Sequence, residues 1–75
     1  MKATEIDLHG VKHEDVGKTL DTFIWEQMKR KASGIKIVTG NSADMKRIVS
    51  DIVTEYGFIA VESFGNPATL IVNFN

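Results

Sequence analysis

The apolar pattern of this 75-residue chain predicts an α/β fold, a two-layer sandwich with two helices over one face of a four-stranded mixed sheet. Three observations carry that reading. Ile6 and Leu8 alternate with Asp7 and His9, the period of a half-buried strand. Residues 14–32 and 43–56 instead space their apolar side chains three and four apart, as amphipathic helices do. Between and after them lie short runs rich in Ile, Val and Phe. The order is β-α-β-α-β-β. Strand–helix–strand alternation predicts right-handed crossovers, with the first three strands paired in parallel and the fourth antiparallel to them.

The first strand is expected over residues 4–9, stopped by Gly10 and followed by a loop to His13. Val16, Leu20, Phe23, Ile24, Gln27 and Met28 then form one helical stripe. Glu14 and Asp15 at its start and Lys29-Arg30-Lys31 at its end suit the helix dipole, with Ser33-Gly34 as the C-cap. Ile35 to Thr39 is a second strand, rich in β-branched residues. Gly40-Asn41-Ser42 turns the chain, and Ser42 is positioned to cap the helix from Ala43 to Tyr56, whose stripe is Met45, Ile48, Val49, Ile52 and Tyr56. Gly57 ends that helix. Phe58 to Phe64 is a third strand, Gly65-Asn66-Pro67 a turn, and Thr69 to Phe74 a fourth strand. One apolar stripe per helix covers one face of the sheet and leaves the other open. Since Ile6 and Leu8 must meet the core, Asp7 and His9 point away from it.

Bulk properties narrow the function. The length fits one small domain over 1–75, with a single modest core. No apolar run approaches a membrane span, the N-terminus lacks a signal-peptide layout, and there is no cysteine for disulfides or thiolate metal sites. A cytoplasmic location is the expectation. Nine basic against ten acidic residues, a net charge of −1, give no global field to draw in nucleic acid, so any phosphate site must be local. The basic residues cluster as Lys29-Arg30-Lys31 with Lys36, and as Lys46-Arg47.

Ligands of parallel α/β sheets collect beyond the C-terminal strand ends. Two such ends should be neighbours here: Asp7-Leu8-His9-Gly10 and Thr39-Gly40-Asn41-Ser42. The second leads into a helix N-terminus, whose unpaired N–H groups and dipole favour anions, with Lys46 near the first turn. A carboxylate, an imidazole and a phosphate cradle are parts that phosphodiester chemistry uses. Each also has a structural role open to it. His9 can fix a strand end, Asp7 can cap a loop amide or pair with a lysine, and Gly40-Asn41-Ser42 can be a turn and a cap. Asp7 and His9 supply two metal ligands where a closed structural site wants four, which leaves a Mg²⁺ or Mn²⁺ shared with water and substrate phosphate, Asp7 being its candidate ligand.

Four segments in order resemble the Smr (small MutS-related) domain family, from Ile6 to Phe74. IDLHG at 6–10 is similar to the family's LDLHG opening, and IKIVTG at 35–40 to its second strand and Thr/His-Gly turn. Met45-Lys46-Arg47-Ile48-Val49 resembles the start of its second helix, and NPATLIVNF its ending. The resemblance implies sheet order 1-2-4-3 and DNA or RNA binding, often with endonuclease activity aided by a divalent cation and no organic cofactor. It places Asp7 and His9 as the acid and histidine, Thr39, Gly40 and Asn41 as the phosphate-side loop, and Lys46 as the basic helix residue. The chain departs from the family where Ser42 replaces a glycine, where Asp44 adds negative charge to a shortened loop, and where Ala68 replaces a glycine.

Two readings follow. In one, a nicking endonuclease uses His9 as general acid/base with Asp7 beside it, while Thr39, Gly40, Asn41, Ser42, Lys46 and Arg47 grip phosphate. In the other, the same fold binds nucleic acid or protein without efficient cleavage. Trp25 falls nearly opposite the buried stripe of its helix, and is expected either to lie over neighbouring alkyl stems or to anchor a protein partner or a second copy.

Overall fold

A computed structural model describes residues 4–74 of the chain. Its elements are β1 (Glu5–Asp7), α1 (His13–Lys29), β2 (Gly34–Val38), α2 (Ala43–Glu55), β3 (Ala60–Ser63) and β4 (Asn66–Asn73). The four strands form one sheet in the order β1-β2-β4-β3. The β-α-β-α-β-β order and the strand order both match the expectation from sequence.

The pairing differs in one respect. β1 and β2 are parallel neighbours, but β4 lies between β2 and β3 and is antiparallel to both. β3 therefore runs in the same direction as β1 and β2 without pairing with either. A short turn links β3 to β4, so the hairpin forms locally and β4 rather than β3 meets β2.

Strand parity separates the faces as expected. Ile6, Ile37 and Leu70 share one row across the sheet, and Ile35, Val72 and Ala60 another. These rows, with Leu8, meet Val16, Leu20 and Ile24 of α1 and Met45, Val49 and Val53 of α2 in a single core. The alternate row, Glu5, Lys36, Ile71 and Val61, lies on the other face. One residue departs from the expected stripes. Met28 is exposed, whereas Gln27 is buried and its Oε1 has no partner among the described residues. Trp25 is 62% exposed, as its wheel position requires. Tyr56 donates to Asp21 at 2.8 Å and so ties α2 to α1. Burial, then the Asp21 hydrogen bond and charge, raise the Tyr56 pKa above its ordinary value.

The end of α1 and the hairpin turn correct the sequence reading, while the end of α2 does not. α2 ends as expected: Gly57 takes φ 87°, and Phe58 N–H reaches the Val53 carbonyl at 3.0 Å. α1 closes earlier than Ser33-Gly34. Arg30 is its C-cap, Lys31 takes the left-handed position at φ 61°, and Ala32 N–H bonds the Gln27 carbonyl at 3.0 Å. Gly34 instead begins β2, where an added Cβ would meet the Val72 carbonyl oxygen. The hairpin turn is Phe64-Gly65 rather than Gly65-Asn66-Pro67, and Ser63 pairs with Asn66. The register jumps between Glu62 and Ser63, and this bulge accommodates Pro67, which has no N–H to donate.

Lys31 does at the end of α1 what a glycine does at the end of α2. Left-handed backbone costs a non-glycine residue about 1 kcal/mol, partly offset by glycine's greater unfolded-state entropy. Lys31→Gly should therefore raise stability by up to about 1 kcal/mol. Urea unfolding with an unchanged slope measures it; a loss of stability would show that the lysine side chain contributes more than the backbone strain costs.

Candidate functional site

β1, β2 and β3 share a direction, so their C-terminal ends and the start of β4 lie along one edge of the sheet. The two loops singled out from sequence meet there. The β1–β2 ladder extends one step past Asp7, with Leu8 N–H donating to the Val38 carbonyl at 2.8 Å. Leu8 is fully buried and fixes the chain on both sides of it. A turn follows, in which Val11 N–H reaches the Leu8 carbonyl at 3.0 Å and Gly10 takes φ 86°.

His9 sits in that turn with an exposed side chain, and its ring lies against Gly40. An added Cβ on Gly40 would stand 3.2 Å from His9 Cδ2. Gly40 also takes φ 71°, which L side chains rarely adopt. The glycine thus serves two ends: it turns the chain and makes room for the imidazole.

Asp7 is exposed, and its Oδ1 accepts the backbone N–H of His9 at 2.9 Å. The carboxylate fixes the loop that carries the histidine, through the backbone and not through the ring. A divalent cation finds one carboxylate here, half engaged, and among the described residues no three His, Asp or Glu come together as a metal site.

The second loop is held by β4. Thr39 and Gly40 N–H both donate to the Ala68 carbonyl, at 2.8 and 3.1 Å. The Thr39 hydroxyl is buried and turned to the carbonyls of Gly40 and Ala68, at 2.9 and 3.2 Å. Asn41 and Ser42 are exposed, and Ser42 Oγ accepts the Met45 N–H at 3.1 Å, so one of the first-turn amides of α2 is occupied by the cap. Lys46 is turned toward β3 and pairs with Glu62 at 3.0 Å. Arg47 lies 3.6 Å from Asp44, both well exposed, a contact worth little in water. The structure thus brings His9 to Gly40, uses Asp7 and Thr39 to hold the loops, and directs Lys46 away to the far edge strand. The sequence reading missed Glu62 as the partner of Lys46, because strand parity places it on the helix side only once β3 is seated beside β4. It singled out Ala68 but not its anchoring part, which is played by a backbone carbonyl that has no sequence signature.

The family model of the Smr domain matches residues 6–69 of the chain. Comparison with curated proteins gives no match.

The tight approach at Gly40 is testable. Gly40→Ala should cost roughly 1–2 kcal/mol in stability through the left-handed backbone alone. It should also move the His9 ring resonances in an NMR spectrum, since the new methyl group meets Cδ2. Unshifted His9 resonances in a folded variant would separate the two loops.

Proposed function

The chain belongs to the Smr domain family, and from that premise we propose that it binds DNA or RNA along the edge formed by His9 and the loop 39–42. The observation that carries this reading is the packing of the His9 ring on Gly40, which joins two loops remote in sequence at the start of a helix. In this reading His9 is the proton-transfer group on a phosphodiester, taking a proton from the attacking oxygen or giving one to the leaving oxygen. Asp7 is a positioning residue, since it bonds the His9 amide. Backbone N–H groups of Asn41 and Ser42 and the α2 dipole face the phosphate, with Arg47 near. The activity is nicking of a strand, and no step is assigned to a metal.

A second reading, binding without efficient cleavage, is favoured by a specific observation. The two cations at the start of α2 already face carboxylates, Lys46 facing Glu62 and Arg47 facing Asp44. A protein partner or a second copy docking on the exposed Trp25 is compatible with either, because α1 leaves the edge uncovered.

Incubating the purified chain with labelled single- and double-stranded DNA and RNA, with and without Mg²⁺ or Mn²⁺, separates the readings. If the chain nicks, His9→Ala should lower the rate about 10²- to 10⁴-fold while the thermal midpoint stays put. Full activity in that variant would trace cleavage to another site or a contaminant. Binding with no cleavage in any condition would establish the second reading.

Glu62 gives an independent handle. Glu62→Gln should release Lys46 to phosphate, tightening binding and steepening the dependence of log affinity on log salt by about one unit. An unchanged slope would mean that the phosphate contacts lie elsewhere, with Lys29, Arg30 and Lys31 the next to replace.

A further inference from the structure

Phe64 is the most exposed large apolar residue of the described chain, with its ring wholly in water. It occupies the Phe64-Gly65 turn between β3 and β4. Nothing local requires a phenylalanine there. Gly65 meets the turn's need for positive φ, at 76°, and the position of Phe64 makes no such demand. The ring touches no core residue, unlike Phe58 and Phe74, which pack on each other at the opposite end of the sheet with centroids 4.9 Å apart.

Its position in the fold is informative. β3 runs in the same direction as β1 and β2, so the turn that follows it stands on the same edge as His9 and Gly40. The hairpin is also fixed to that edge. Ala68 in its bulge accepts the Thr39 and Gly40 amides, and Asn66 Oδ1 accepts the Ala68 N–H at 3.2 Å. An exposed aromatic on a held hairpin, beside a candidate phosphate site, is the arrangement that takes a base by stacking. Asn41, Ser42 and Asn66, all exposed along this edge, are able to hydrogen-bond base edges.

We propose that Phe64 is a stacking platform for an unpaired base, which makes single-stranded nucleic acid the substrate class of this edge. The proposal rests on the reading that the edge binds nucleic acid. A paired base hides its faces in the duplex, whereas every unpaired base offers one, so the ring selects strandedness rather than sequence. The span fits a short segment. Three strand spacings of about 4.8 Å separate β1 from β3, roughly 14 Å. At about 3.4 Å per stacked nucleotide that is roughly four nucleotides from His9 to the ring. Trp25 and Met28 on α1, and Ile59 ahead of β3, are also exposed but lie off this edge.

Fluorescence anisotropy with labelled oligothymidine, oligouridine and duplexes of the same length tests this. Phe64→Ala should weaken single-strand binding by about five- to a hundredfold and leave duplex binding and the thermal midpoint unchanged. Phe64→Trp should retain single-strand affinity. Equal single-strand affinity in wild type and Phe64→Ala would overturn the proposal and leave the ring as a protein contact, with nucleic-acid binding itself intact. An equal loss on duplex and single strand would overturn it as well. A wild-type chain that binds none of the probes would instead remove the nucleic-acid reading, and this inference with it.

Discussion

β2 pairs with β4 along its whole length, from Gly34 opposite Asn73 to Val38 opposite Thr69. Ile35 and Ile37 face the helices from β2, and Val72 and Leu70 stand beside them on β4, so the ladder and the centre of the core are the same structure. β4 reaches β2 only by entering between β2 and β3. That insertion places β3 at the edge with its direction set by the hairpin, and it puts the C-terminal ends of three strands on one side. It also carries the bulge at Pro67 and Ala68 over the end of β2, where the Ala68 carbonyl holds the Thr39 and Gly40 amides. Without that carbonyl the turn at Gly40 would lack its anchor, and His9 would lack the surface it packs on.

Charge is arranged locally, as a chain of net charge −1 requires if it is to meet a polyanion. Asp7 serves the backbone of His9, Glu62 holds Lys46, Asp44 faces Arg47, and Asp21 receives the Tyr56 hydroxyl. Most of these contacts are exposed, where ion pairs contribute little to stability and exchange partners readily. On the proposed reading, a phosphate competes with protein carboxylates for cations already in place, and the exposed ring of Phe64 adds a contact that does not depend on charge.

The element order, the two helical stripes, the Ser42 cap and the Gly57 stop were legible in the residues alone, because each rests on contacts within a few residues. Also legible was that Ile6 and Leu8 face inward while Asp7 and His9 do not, since side chains alternate along a strand whatever it pairs with. Local rules failed where two local choices competed. Gly34 was the obvious cap for α1, yet its missing side chain is needed beside the Val72 carbonyl, and Lys31 takes the left-handed position instead. The antiparallel seating of β4 beside β2, the facing of Lys46 and Glu62, and the edge shared by Phe64 and His9 came only with the assembled fold. These are relations between segments far apart in the chain. They follow from which strand fills the gap next to β2, and that choice is made by packing the whole core and not by any one stretch of residues.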